Sequence, residues 1–283
     1  ILIPPSVPIM IFAFITEQSV GRLLIAGVFP GLLSAAIYMV SIYIRASRSP
    51  ELAPRPLVGV SWKERIGALK NIWAMVLLIV VIIGGLFAGV WTPSEAAGGG
   101  AFVSLLIGVV MLRRLGPRQI WLSLWSAVQT TSMIFMLLVA AGLFSHFLVD
   151  ARLAEAIISF LGSLPVPPIV VLLMILAFYI FIGTFFSVFE TLIVTLPIVF
   201  PVIVALGFDP IWFTILMVKT MEMGAITPPF GLNVFIIKGV VPEVPLWDIF
   251  RGIWPFLLMD VLTLAILVAF PFITTFLPSI MRY

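Results

Sequence analysis

The chain has 283 residues, 63% of them hydrophobic and 10% charged, with a net charge of +3 and a mean hydropathy of +1.29. That composition lies well outside soluble domains, and the apolar runs are long enough to span or re-enter a bilayer. Cysteine is absent and His146 is the only histidine, which excludes disulfides, thiol catalysis and thiolate or His-rich transition-metal sites. Neither a P-loop nor a paired-His helix pattern occurs, so ATP-driven transport and zincin-type proteolysis have no support.

The first residues, Ile3-Pro4-Pro5-Ser6, read as the middle of a broken helix. With no initiator Met and no charged leader, a piece of a longer protein is expected. Residues 7–16 then form a half-length apolar helix that Thr16-Glu17-Gln18-Ser19 interrupts, and 25–44 make a full span. Loop 45–70 follows with Arg45, Arg48, Arg55, Lys63, Arg65 and Lys70. Inside it Ser61 and Glu64 fit a capping box. Trp62, Ile66 and Leu69 then recur at helical spacing, which predicts an amphipathic helix in the membrane interface.

Span 72–90 carries Gly85 and Gly89 at a spacing that permits close helix contact. Thr92-Pro93-Ser94-Glu95 starts the next span, 96–112, with Thr as N-cap and Glu completing a box. Gly98-Gly99-Gly100 reads as close packing rather than phosphate binding. After Arg113, Arg114 and Arg118 comes a long span, 121–148, and Asp150 is expected to cap a short amphipathic helix, 151–162. Residues 169–182 and 188–205 are two apolar arms joined by Gly183-Thr184-Phe185-Phe186-Ser187. That joint is too weakly polar for an aqueous loop, so 169–205 is expected to be a re-entrant helical hairpin. Asp209 caps 211–224, the break Ile226-Thr227-Pro228-Pro229 follows, and 230–241 complete the crossing. Residues 245–252 read as interfacial and 253–276 as the last span.

Two stretches read as copies of one unit. Each Pro-Pro pair is followed by one more helix and then Phe29-Pro30-Gly31-Leu32-Leu33 or Trp254-Pro255-Phe256-Leu257-Leu258. Pro5 to Pro30 is 25 positions and Pro229 to Pro255 is 26. The basic loops 45–70 and 113–118 fall on one side, joined by Lys238 and Arg251, and that side is cytoplasmic by the positive-inside rule. Under that orientation the two broken helices run in opposite directions, as inverted copies. The expected fold is an all-α polytopic membrane protein with inverted repeats, broken helices and a re-entrant hairpin. Its parts are 1–44 (end of a first repeat), 45–70 (basic loop), 71–118 (scaffold helix pair) and 119–283 (second repeat, with hairpin 169–205 and broken helix 211–241). The charge distribution gives no indication of nucleic-acid binding.

Paired broken helices in repeats mark the binding site of secondary transporters. Pro228 and Pro229 lack N–H groups, which is expected to free the carbonyls of Gly224 and Ala225 for a hard cation such as sodium. Thr227 adds a hydroxyl and is placed to cap the second half-helix, whose N-terminus favours an anion. Gly231 would let a ligand approach the backbone and Asn233 would offer an amide. A proline kink that only shapes packing is the plain alternative, and the pairing of two breaks argues against it. Glu190, Lys219, Glu222 and Asp260 fall within apolar segments, where ionisable groups are functional candidates. Lys219 and Glu222, three apart, are expected to pair structurally, and Asp260 to pair with a neighbouring helix.

These motifs resemble the large membrane subunit of tripartite ATP-independent periplasmic (TRAP) transporters, across essentially the whole chain. The residues that carry the resemblance are Ile3-Pro4-Pro5-Ser6, Thr92-Pro93-Ser94-Glu95-Ala96-Ala97, Gly183 with Thr195-Leu196-Pro197-Ile198-Val199-Phe200-Pro201, Gly224 to Asn233, and Arg251-Gly252-Ile253-Trp254-Pro255-Phe256. The resemblance implies the C-terminal two-thirds of an elevator-type, sodium-coupled importer of dicarboxylates or other organic acids in a bacterial inner membrane. A periplasmic binding protein and a small membrane subunit are the implied partners, besides membrane lipid, and sodium ions the only cofactor. Two sodium sites are implied. One is Gly183, Thr184 and Ser187 with Gly224, Ala225 and Thr227; the other keeps only its Pro4, Pro5 and Ser6 side. From the chemistry of the break, Thr227, Gly231 and Asn233 are the candidate substrate contacts. The family often has an acidic residue four positions after the tip glycine, where this chain has Ser187, with Glu190 a turn further on. A binding-protein-independent sodium/dicarboxylate symporter is the rival reading. A non-transporting assembly subunit and a membrane enzyme have less support.

Overall fold

A computed structural model describes residues 1–49, 61, 64, 67, 72–163 and 165–281. All regular structure among these residues is helical: α1 (Val7–Thr16), α2 (Val20–Ala26), α3 (Val28–Arg48), α4 (Trp73–Phe87), α5 (Pro93–Leu106), α6 (Pro117–Asp150), α7 (Leu153–Ser163), α8 (Pro168–Gly183), α9 (Val188–Ala205), α10 (Pro210–Gly224), α11 (Leu232–Val240), α12 (Leu246–Ala269) and α13 (Phe272–Ile280). Five stretches are long and apolar enough to cross a membrane: Val20–Arg48, Pro93–Met111, Pro117–Asp150, Val188–Ala205 and Leu246–Ala269. The chain divides into two compact units, one of Ile1–Tyr38 with Ile134–Ile280 and one built on Met39–Met133.

The helix ends follow from local chemistry. Asp209 accepts the Trp212 N–H at 2.9 Å and starts α10 at a proline. Thr92 and Glu95 exchange both bonds of a capping box, at 2.7 and 3.3 Å. Ser61 and Glu64 do the same at 2.8 and 3.3 Å. The amphipathic helix read through Trp62, Ile66 and Leu69 lies outside the described residues.

Several boundaries differ from the sequence reading. The span expected at 25–44 begins at Val20, because Ser19 accepts the Arg22 N–H and the charged Arg22 lies inside a helix rather than in a loop. Asp150 ends α6 instead of capping α7; the turn falls at Arg152, which has a left-handed backbone (φ 52). Span 72–90 is the 15-residue α4, and Gly89 (φ 68) lies beyond its end rather than on a contact face. The segment 245–252 is the first turns of α12, which runs through Pro255 and stops at Phe270 before Pro271. Phe270 is pushed out of the helical region (φ −127, ψ 73) by the following proline ring.

In the unit built on Met39–Met133, α4 packs on α5. A Cβ at Gly99 would run into the Trp91 ring and one at Gly100 would meet Ile82 at 2.7 Å. Gly99 and Gly100 therefore serve close packing, as the composition suggests, whereas a Cβ at Gly98 would meet nothing within 4 Å.

In the other unit α10 is the central element. Every residue from Trp212 to Met221 is buried, and so are Met223 and Gly224. It packs most extensively against α8 and also touches α1, α2, α9, α12 and α13. Trp212 Nε1 donates to the Leu267 carbonyl at 2.8 Å, fixing α10 on α12. Phe12 lies 5.8 Å from Phe200 and 6.4 Å from Phe213, filling the space between α1, α9 and α10.

Candidate functional site

α10 ends at Gly224 because the prolines at 228 and 229 cannot continue its hydrogen-bond ladder. The carbonyls this was expected to free are used locally. The Thr227 N–H donates to Gly224 O at 3.0 Å, and the Asn233 N–H returns across the break to Ala225 O at 3.1 Å. Each carbonyl keeps a second lone pair for a ligand. Thr227 does not cap α11. Its hydroxyl donates to Met223 O at 2.6 Å, and the N-cap position is Gly231, four residues later, with a left-handed backbone (φ 53). The turn over 225–230 is what moves the cap. Gly231 is demanded by its own loop, since a Cβ would meet Ile226 C and Thr227 O at 3.2 Å.

The hairpin tip meets this break. A Cβ on Gly224 would fall 2.7 Å from Gly183 Cα and 2.8 Å from Ile180 O, so the two glycines bring α8 and α10 into backbone contact. Thr184 is buried and its hydroxyl donates to Phe181 O at 2.8 Å.

A cavity of about 350 Å³ lies beside that contact, lined by Ile1, Pro5, Ser6, Val7, Pro8, Ser187, Val188, Phe189, Ala225, Leu232 and Asn233. It gathers both Pro-Pro breaks and the end of the hairpin tip. Three helices begin at its wall: α1 after Ser6, α9 after Ser187, and α11 at Leu232. Helix N-termini present unsatisfied N–H groups and a partial positive charge. Ser6 and Ser187 occupy N-cap positions, yet neither makes a side-chain cap bond. For Ser6 one reason is Pro8 at the second helical position, which has no N–H to offer. Both hydroxyl oxygens are buried and without a partner. Ala225, at the C-terminal end of α10, faces the same space. Among the described residues, the lining holds no charged side chain.

Of the residues expected in a site, Pro5, Ser6, Ser187, Ala225 and Asn233 line the cavity. Gly183 and Gly224 form the helix contact beside it, and Pro4, Thr184, Thr227 and Gly231 do not line it. The sequence did not reveal that Ser6 and Ser187, 181 positions apart, face one space. The available signal was that each is a Ser immediately before a helix.

The buried charges form a second cluster in the same unit. Lys219 Nζ lies 2.6 Å from Asp260 Oδ1 and 3.2 Å from Glu222 Oε2, with Lys219 and Asp260 1% and 0% exposed. The Tyr38 hydroxyl donates to Asp260 Oδ1, and Lys219 Nζ stands 5.6 Å from the centre of the Tyr38 ring. The expected Lys219–Glu222 pair therefore forms, but the shorter contact is to Asp260, and Tyr38 was not anticipated. Glu190, in the first turn of α9, is exposed.

Residues 1–273 match the family described as "Tripartite ATP-independent periplasmic transporter, DctM component". The chain belongs to this family. It is 33% identical over 301 residues to the C4-dicarboxylate TRAP transporter large permease protein DctM of Vibrio cholerae, and 36% identical over 280 residues to the protein of the same name from Pseudomonas aeruginosa. It is 30% identical over 280 residues to the sialic acid TRAP transporter large permease protein SiaM of Vibrio cholerae. These matches cover 99% of this chain but 66%, 64% and 64% of the relatives, so the chain spans just under two thirds of their length. The TRAP permeases are multi-pass inner-membrane proteins and not enzymes, in keeping with the apolar helices found here. Membership of this family disfavours the binding-protein-independent symporter.

Proposed function

We propose that the chain is the site-bearing part of a sodium-coupled permease that imports a carboxylate delivered by a periplasmic binding protein. The observation that carries this is the cavity at the breaks. Three helix N-termini and two unpartnered serine hydroxyls suit a carboxylate, and the C-terminal end of α10 beside them suits a cation. The names of the relatives, which speak of C4-dicarboxylates and sialic acid, agree with an organic acid.

The same geometry supports re-entry of the hairpin. α8 has 16 residues, about 24 Å of helix, against a hydrocarbon core of about 30 Å. Its tip touches α10 where α10 stops, which suits two half-helix ends meeting at one depth, although α9 by itself is long enough to cross. The matched spacing after the two Pro-Pro pairs supports inverted repeats and an elevator-like movement of the site. A small membrane subunit and lipid would cover α6, whose apolar window is only 11% buried.

The test is uptake of C4-dicarboxylates and sialic acid into proteoliposomes holding the complete transporter, with and without a sodium gradient and the binding protein. Uptake that needs both is expected. Uptake without the binding protein would restore the free-standing symporter, and uptake indifferent to sodium would overturn the assignment of coupling ion.

A further inference from the structure

The helix that delivers the break carries its charges in an order that local rules disfavour. The C-terminal end of a helix is its negative end, where basic side chains are stabilising. α10 has none in its last turn and carries Glu222 there instead, two residues before Gly224. Lys219, one turn earlier, is the natural compensation, but its ammonium is closest to Asp260, at 2.6 Å against 3.2 Å to Glu222. Counting side chains, the buried cluster holds one positive charge and two negative ones, with Tyr38 adding only a hydroxyl donor to Asp260. One carboxylate charge is left over. It is also the one nearest the break: Glu222 is 27% exposed and stands two residues before Gly224 on the same helix.

We infer that the Tyr38–Asp260–Lys219–Glu222 cluster sets the cation affinity of the break at Gly224–Ala225, with Glu222 supplying its net negative charge. A lysine buried on the helix that must hold a cation would by itself repel that cation. Asp260 cancels this repulsion, and Glu222 turns the balance attractive at the negative end of the helix. Glu222 is thus a positioning residue acting on the ion through space, without being its ligand. The inference rests on the proposed binding of sodium at the break.

Glu222 is separated from Gly224 by about 3 Å of helix rise. A unit charge on the order of 10 Å from the ion, in an effective dielectric of about 20, shifts binding by roughly tenfold. Partial exposure reduces this to about three- to tenfold.

The experiment is a sodium titration of uptake by the complete transporter carrying Glu222→Gln or Glu222→Asp. Glu222→Gln keeps an acceptor for Lys219 and empties no buried partner, so the protein folds; substitution of Lys219 or Asp260 lacks that safeguard. Expected is a half-saturating sodium concentration about three to ten times higher for Glu222→Gln, with little change in the rate at saturating sodium. Glu222→Asp, which keeps the charge, should restore the original value. An unchanged sodium requirement in Glu222→Gln, or a fall in saturating rate alone, overturns the inference while leaving sodium coupling in place. Uptake by the unsubstituted transporter that ignores sodium overturns the coupling assignment and this inference together.

Discussion

Gly224→Ala is the sharpest test of how the hairpin and the broken helix are joined. The added Cβ would stand 2.7 Å from Gly183 Cα, 2.8 Å from Gly183 C and 2.8 Å from Ile180 O. All three are backbone atoms, so no side chain can swing away to make room. Reaching the 3.4 Å at which ordinary contact begins requires α8 and its tip to retreat by about 0.7 Å. Overpacking of this kind costs about 1–3 kcal/mol. Better intrinsic helix propensity, about 1 kcal/mol in favour of Ala, offsets part of it. The net is a loss of up to about 2 kcal/mol, with the larger consequence at the site, because the retreating tip takes Ser187 with it. Thermal unfolding in detergent should show a lowered midpoint, and uptake should fall by more than the folded fraction does. Gly252→Ala is the control, since nothing lies within 4 Å of its Cβ position in α12, and it should leave stability equal or slightly raised. A Gly224→Ala protein with the original midpoint and original uptake would refute the close contact and the site built on it.

Ser187→Ala and Ser6→Ala each remove a buried hydroxyl that has no partner, so thermal stability without ligand should hold or rise by about 1 kcal/mol, while the substrate concentration for half-maximal uptake rises. Asp260→Ala leaves the Lys219 ammonium buried beside only Glu222 and should cost about 3–5 kcal/mol in unfolding experiments; Lys219→Met with Asp260→Leu should recover much of that. Thr92→Ala breaks the capping box of α5 and should cost about 1 kcal/mol in the unfolding midpoint with no effect on the sodium requirement of uptake.

What the sequence made legible is what short-range rules govern. The half-helix Val7–Thr16, the arm Val188–Ala205, the Asp209 cap and the two capping boxes all follow from neighbours three or four residues apart. The breaks were legible because proline lacks an N–H, but the use made of the freed carbonyls was not. The Asn233 N–H reaches back eight residues to Ala225 O, a closure set by the path of the turn rather than by residue type. Partner choice among the buried charges failed for a related reason. The spacing of Lys219 and Glu222 shows in a helix register, whereas Asp260, 41 positions on, meets Lys219 only through the packing of α12 on α10. Prolines divide in the same way. Pro255 stays inside α12 while Phe270 before Pro271 leaves the helix, and nothing in the immediate sequence separates the two cases.

On the proposed sodium coupling, the lack of charged side chains among the described lining residues gives the ion a role in substrate binding. An arginine in the wall would hold a carboxylate whether or not a cation were present. Among the described lining residues the positive character comes from helix N-termini, each equivalent to about half a charge. Backbone dipoles do not fully neutralise an organic dianion, so on the proposed function a substrate bound alone would keep uncompensated charge. A sodium ion at the proposed site, the C-terminal end of α10, would remove part of that cost, and linkage would then require the substrate to raise sodium affinity by the same factor. Replacing Asn233 in the wall with Arg should therefore loosen coupling rather than simply improve binding. Uptake or exchange by Asn233→Arg at vanishing sodium should exceed that of the unsubstituted transporter, with a smaller stimulation when sodium is restored. Should the stimulation by sodium persist at full size while Asn233→Arg still binds substrate, the ion would be doing something other than balancing charge in this cavity.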